Sequence, residues 1–162
     1  MALELFTLFH VAISLIGIAS GFVVFFGLIK SQRLDGWTAV FLTTTAATSV
    51  TGFMFPFHGF LPSHALGTLS LVILAAAIPA RYHYHMDGAW CRTYVITALL
   101  ALYLNVFVLV VQLFRRVPAL KSLAPTQSEP PFAIAQLIVL AVFVVLGTLA
   151  TIRFRSEPLQ AV

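Results

Sequence analysis

Residues 5–29 read LFTLFHVAISLIGIASGFVVFFGLI, an apolar run that contains no Asp, Glu, Lys or Arg. A membrane-spanning helix needs about 20 consecutive, mostly apolar residues, so this run predicts a helix that crosses a bilayer. It is too long for the apolar region of a signal peptide, and no basic residue precedes it. We therefore expect it to be retained as the first helix of a membrane protein.

The composition of the rest of the chain supports the same class. Of its 162 residues, 60% are apolar and only 9% are charged, whereas soluble domains carry about 25% charged residues. The length predicts one compact domain over residues 1–156, with a short tail at 157–162. Cys91 is the only cysteine, which excludes an intramolecular disulfide and a thiolate cluster.

Four more apolar runs of spanning length follow the first. The five predicted spans are residues 5–29, 37–57, 64–82, 93–114 and 132–152. Most connections are short and contain Gly, Pro or polar residues, so we expect an all-α bundle of antiparallel helices. The longest connection is rich in proline and predicts an ordered surface loop or a short interfacial helix.

The basic residues near the helix ends predict the orientation of the bundle, because cytoplasmic loops carry an excess of Lys and Arg. One side carries Lys30, Arg33, Arg81, Arg92, Arg153 and Arg155, and the other carries Arg115, Arg116 and Lys121. This excess places the N-terminus outside and the C-terminus in the cytoplasm.

The first helix carries a stripe of small and polar residues. His10, Ser14, Gly17 and Gly21 recur at helical spacing, so they share one face. Gly17 and Gly21 form a GxxxG pair, which allows another helix to approach closely. The stripe therefore predicts a buried helix contact. His10 then faces the bundle, either as a ligand or proton-handling residue or as a neutral imidazole bonded to a neighbouring helix.

Other polar residues also fall inside predicted spans. Thr44 and Thr48 lie on the second helix, Asn105 and Gln112 on the fourth, and Gln136 on the fifth. Hydroxyls can bond carbonyls of their own helix, whereas amides in hydrocarbon need partners. Two interpretations stay open: contacts between helices, including an Asn105–Gln136 bond, or the polar lining of a path for a small solute.

Three histidines converge on the outer end in this topology: His10, His58 and His64. One interpretation is a divalent metal site formed by all three, although zinc usually takes three or four ligands and no buried carboxylate accompanies them. The other is a single b-type haem with His10 and His64 as axial ligands. Arg115 and Arg116 would then face its propionates. The plain alternative is that each imidazole bonds a neighbouring group.

Two stretches carry a resemblance to known proteins. FHVAISLIGIASG (9–21) and SHALGTLSLVILAAAIPARY (63–82) resemble small multi-helix integral membrane proteins of bacteria. This implies a bacterial inner membrane location and no particular activity. The chain is more distantly similar to membrane b-type cytochromes, and that likeness implies haem ligation at His10 and His64.

The sequence contains no phosphate-binding loop, dinucleotide fingerprint, GxSxG or HExxH motif, and no run of basic residues typical of nucleic-acid binding. Three functional hypotheses follow. The chain is a redox protein with one haem near the outer face, or a non-enzymatic accessory or assembly subunit that packs against a membrane partner or another copy of itself. The third hypothesis is a channel or carrier for a small solute.

Overall fold

The computed structural model describes residues 1–55 and 62–155, and this part of the chain is helical with no strands. Its helices are α1 (Ala2–Ile29), α2 (Asp35–Gly52), α3 (Pro62–Tyr82), α4 (Ala89–Arg116), α5 (Pro118–Leu123) and α6 (Pro130–Arg153). Pro118 and Pro130 stand in the first turns of α5 and α6, where a missing N–H costs no helical hydrogen bond.

Four of these helices are long and apolar enough to cross a membrane: α1, α3 over His64–Tyr82, α4 and α6. The prediction of an all-α membrane protein is therefore confirmed. Helix α2 is shorter, at 18 residues, and carries many hydroxyl side chains. It ends at Gly52 rather than at residue 57. Glycine is a poor helix former, and the amides of Phe53 and Met54 bond the carbonyls three residues back, which closes the helix in a tighter turn.

Helix α4 lies at the centre of the bundle and packs against α1, α3, α5 and α6. Its buried residues include Ala98 and Ala101, whose small side chains let neighbouring helices approach. Helix α2 packs between α1 and α3. Helix α6 is the most peripheral of the long helices, since only Gln136 and Ala150 are buried on it.

The bundle has two ends, which we name after a residue at each. At the His10 end, Phe6 and His10 of α1 contact Phe55, which follows α2. At the Arg81 end, Arg81 near the end of α3 contacts Asp35 at the start of α2. The long helices alternate in direction between these ends, as the short connections predict.

The stripe on α1 lies at the contact with α2. Gly17 and Gly21 are buried there. A methyl group placed on Gly21 would lie 2.6 Å from Cδ1 of Leu102 on α4 and 2.9 Å from Cδ2 of Phe41 on α2. Helix α1 thus approaches two helices at once through a position that only glycine fits without a shift.

Candidate functional site

His10 lies between α1 and α2 and is half-buried. Its Nδ1 is 2.8 Å from Oγ1 of Thr51, and its ring packs edge-on against Phe55 at 5.1 Å. The Thr51 hydroxyl also lies 2.7 Å from the carbonyl of Ala47. Thr51 can accept from Nδ1–H or donate to an unprotonated Nδ1, and in both cases Nδ1 is engaged. The Thr51 contact leaves Nε2 as the ring nitrogen of His10 that is available to another partner.

His64 is buried on α3, with 7% of its surface exposed. Its ring lies 5.7 Å from that of Phe53, just after α2. His10 and His64 thus contact different residues at the same end of the bundle, and a cofactor shared between them stays a prediction. His58 lies outside the described residues. Among residues 1–55 and 62–155, no group of three or more His, Cys, Asp or Glu side chains is placed to hold a metal ion.

Polar side chains continue from His10 along the α1–α2 contact. The Ser14 hydroxyl lies 2.7 Å from the carbonyl of His10 and 3.4 Å from Oγ1 of Thr48. A methyl group on Gly17 would meet Oγ1 of Thr44 at 3.1 Å. These groups touch one another directly, with helices in close contact. The arrangement is that of a packed interface, in which each hydroxyl is satisfied by a neighbour or by its own helix.

Of the three amides predicted for the bundle interior, two have partners on a neighbouring helix and the third lies exposed. Asn105 on α4 donates from Nδ2 to Oγ1 of Thr45 at 3.1 Å. Gln136 on α6 donates from Nε2 to the carbonyl of Phe107 at 3.2 Å. The Asn105–Gln136 bond, one of the helix contacts left open by the sequence, is therefore not formed, because each amide donates to a different acceptor. Gln112 lies exposed near the end of α4.

The Arg81 end holds a buried cation that the sequence analysis treated only as a marker of orientation. Arg81 is 4% exposed. Its guanidinium donates to the Asp35 carboxylate and to the sulfur of Met86 at 3.0 Å, and it lies 5.3 Å from the centre of the Tyr94 ring. A buried charge needs such partners. The cluster joins the start of α2 to α3 and α4, so it fixes the relative positions of three helices.

Two open cavities lie on the surface of the bundle. One, of about 340 Å³, is a groove between α2 and α3 lined by Leu42, Thr43, Ala46, Ile78 and Tyr82. We call it the α2–α3 groove. The other, of about 470 Å³, lies where α4 ends and is mostly polar. We call it the basic pocket, and its lining residues are Phe114, Arg115, Arg116, Lys121, Pro125, Thr126 and Gln127.

Thr43 is the unusual member of the α2–α3 groove. Most other hydroxyls of α2, such as those of Thr44 and Thr51, bond a carbonyl of their own helix or a polar group of a neighbour. The Thr43 hydroxyl has no hydrogen-bond partner in the described part of the chain and faces outward. Sequence analysis did not single it out, because which hydroxyls of a Thr-rich helix face outward depends on how its neighbours pack.

Comparison with known proteins gives no further assignment, since no family model, curated protein or solved structure matches this chain.

Proposed function

We propose that this chain is a non-enzymatic accessory subunit of a membrane complex, and that a transmembrane helix of its partner packs in the α2–α3 groove. We further propose that it sits in a bacterial inner membrane with five spans. In this arrangement α2 is the fifth span, in addition to the four apolar helices. A spanning helix tolerates polar residues where they face the protein interior, and α2 turns Thr45 and Ser49 inward.

The orientation with the N-terminus outside rests on the charges at the two ends. Arg81 contributes little to it, because the residue is buried and paired with Asp35. The remaining basic residues at the Arg81 end are Lys30, Arg33, Arg92, Arg153 and Arg155, against Arg115, Arg116 and Lys121 at the other end. The excess still favours a cytoplasmic Arg81 end.

The observation that carries the accessory function is the outward-facing Thr43 hydroxyl in the groove. A polar group in hydrocarbon gains from a hydrogen-bond partner. Small residues such as Thr and Ala are enriched where transmembrane helices meet, and Ala46 lies beside Thr43 in the groove. A lipid chain fills such a groove but offers no hydrogen bond, whereas a partner helix supplies both apolar contact and a polar group.

Site-specific photocrosslinking in native membranes tests this assignment. A photoreactive phenylalanine at Thr43 is expected to give one discrete adduct heavier than the chain alone. The same probe at Val144, which is 58% exposed on α6, serves as the control and should give no such adduct. Adding Ala46→Trp should fill the groove and remove the Thr43 adduct. The same adducts at both positions would refute the proposal, and so would an adduct of twice the chain mass, which would place a second copy in the groove.

A second candidate function, a haem protein, is favoured by the state of His10. Its Nδ1 is engaged by Thr51, so Nε2 is the nitrogen that would ligate iron, with the ring oriented by the Thr51 contact. His10 thus fits an axial ligand, and a bound haem would supply one-electron chemistry. His64 lies at the same end and is the proposed second ligand.

A reduced-minus-oxidised absorption spectrum of the purified protein, produced with ample haem, tests this candidate. The expected result is a b-type spectrum that His10→Ala and His64→Ala each weaken or remove. Thr51→Val should weaken it less, because it removes only the group that orients His10. A colourless wild-type protein would end the haem proposal, while a spectrum unchanged in both alanine variants would reject these ligands.

A further inference from the structure

The basic pocket lies at the C-terminal end of the central helix α4. Helix α4 has 28 residues and is therefore about 42 Å long, at about 1.5 Å per residue. The hydrocarbon core of a bilayer is only about 30 Å thick. Arg115 and Arg116 are the last two residues of α4, so they extend beyond the hydrocarbon toward the phosphates of one leaflet.

The cations of this pocket lack anionic partners within the protein. In the described part of the chain, no carboxylate lies within ion-pair distance of Arg115, Arg116 or Lys121. The nearest acidic residue in sequence, Glu129, accepts hydrogen bonds from Thr126 and Ser128. Basic residues at a helix C-terminus also interact favourably with the helix dipole. That effect explains two arginines there, but it does not explain a cavity that a third cation helps to line.

The walls of the pocket are held by specific contacts. Gln127 adopts a positive φ of 61°, and its side chain donates to the carbonyl of Val111 on α4 at 3.0 Å. Beneath the loop, Phe114 packs edge-on against Phe132 of α6 at 5.4 Å. Residues 124–129, which form the loop before α6, are therefore tied to α4 by Gln127, and α4 is packed against α6 beside it. Because the cavity exists before a ligand arrives, binding costs less ordering of the protein.

We propose that the basic pocket binds a phosphate-bearing anion, namely the headgroup of an anionic phospholipid in the leaflet at the His10 end. Arginine donates to phosphate in a bidentate geometry, and lysine adds a mobile point charge. The Thr126 hydroxyl already donates to Glu129 at 2.9 Å, so its oxygen is left to accept from a headgroup hydroxyl. Basic pockets beside transmembrane helices recognise anionic headgroups by this chemistry. The site is independent of the α2–α3 groove.

Native mass spectrometry of the detergent-purified protein tests the proposal, with phosphatidylglycerol and phosphatidylcholine offered at equal concentration. The wild-type protein is expected to retain phosphatidylglycerol preferentially. In the Arg115→Gln, Arg116→Gln, Lys121→Gln triple variant, the affinity for phosphatidylglycerol should fall at least about tenfold. A charge-conserving Arg115→Lys, Arg116→Lys, Lys121→Arg variant should keep the preference.

A matched control removes the same charge at the opposite end of the bundle. Lys30, Arg92 and Arg153 are exposed there, and none of them lines the basic pocket. Replacing these three by glutamine should leave phosphatidylglycerol retention within about twofold of wild type, because the basic pocket keeps all of its own cations. Equal losses in the two triple variants would overturn the proposal, as would equal retention of both lipids by the wild-type protein.

Inorganic phosphate distinguishes the two sources of the anion. If the headgroup is the ligand, millimolar phosphate should not displace phosphatidylglycerol, because the acyl chains add contacts with α4 and α6. Two results together would make the pocket an anion site for a soluble ligand. Free phosphate would displace the lipid, and it would raise the melting temperature of the delipidated wild-type protein but not that of the triple glutamine variant. That outcome would overturn the assignment to lipid.

Discussion

The Gly21→Ala substitution adds one methyl group where α1 meets α2 and α4. That methyl would lie 2.6 Å from Cδ1 of Leu102 and 2.9 Å from Cδ2 of Phe41, whereas carbon atoms pack best at about 3.5–4.0 Å. The neighbours must therefore move by about 1 Å. Leu102 and Phe41 are each 1% exposed, so neither has free space to enter. Overpacking of this kind typically costs about 1–3 kcal/mol.

The same substitution at Gly147 of α6 is the matched control. A methyl group there would lie 3.5 Å from Cδ1 of Leu99, which is ordinary van der Waals contact. In both variants the replacement of a glycine inside a helix raises the free energy of unfolding by about 1 kcal/mol. The difference in stability between the two variants therefore isolates the cost of overpacking. In detergent, Gly21→Ala should melt lower than Gly147→Ala, by about 2–4 °C for each kcal/mol in a chain of this size. If Gly21→Ala is as stable as Gly147→Ala, α1 does not pack in the way described here.

Three further predictions concern the Arg81 end, the loop before α6 and the topology. Asp35→Asn should lower the free energy of unfolding by about 1–3 kcal/mol, because it leaves the Arg81 charge buried without its anion. Arg33→Gln removes the more exposed ion pair of the same carboxylate and should cost less than about 1 kcal/mol. Thermal melts of both variants measure the difference. Desolvation acts to raise the pKa of Glu129, but hydrogen bonds from Thr126 and neighbouring backbone groups lower it below its ordinary value of 4.5. These bonds are therefore complete at neutral pH and are lost as the pH falls through the lowered pKa, so the amide of Thr126 should exchange faster with solvent only in acid. In Glu129→Ala, which removes both carboxylate oxygens, that amide should exchange fast at neutral pH as well. Reporter fusions at the two termini should place them on opposite sides of the membrane, and termini on the same side would remove α2 as a span.

The long helices were predictable because lipid imposes a simple requirement on sequence. Backbone polar groups must be satisfied within each span, so apolar runs of sufficient length mark helices. The predicted spans 5–29 and 93–114 accordingly lie within α1 and α4. The end of α2 was harder to predict, since the apolar residues after Gly52 continue the hydrophobic run although the helix has ended. Hydropathy reports where lipid is tolerated, whereas the helix end depends on local backbone preference.

The polar contacts were only partly predictable. Helical spacing was enough to put His10, Ser14 and Gly17 on one face of α1, because that face depends only on positions within one helix. The partners of that face depend on how separate helices align. Asn105 bonds Thr45, which is 60 residues away, and no pattern within α4 indicates this acceptor. The Arg81–Asp35 contact was missed for the same reason. The topology alone puts an acid at the start of α2 and a base at the end of α3 at the same end of the bundle, but it does not show that the two side chains meet.

The distribution of polar groups favours binding at the surface of this bundle rather than inside it. Most interior hydroxyls and amides bond a neighbouring helix or a carbonyl of their own helix, and the buried cation Arg81 has Asp35 as its anion. Among the described residues, the buried side-chain atom left without a partner is Oε1 of Gln136. Groups satisfied in this way stabilise the fold and leave little capacity to bind a ligand. In the part of the chain that the structure describes, the outward hydroxyl of Thr43 and the cations of the basic pocket have no such partner. At the His10 end, Nε2 of His10 likewise has no hydrogen-bond partner among the described residues. A partner helix, a phosphate group and a cofactor would each complete one of these three sites. Arg115 and Arg116 belong both to the basic pocket and to the haem hypothesis, so the experiments separate these two sites by the spectral effect of His10 and His64 on the one hand and by lipid retention on the other.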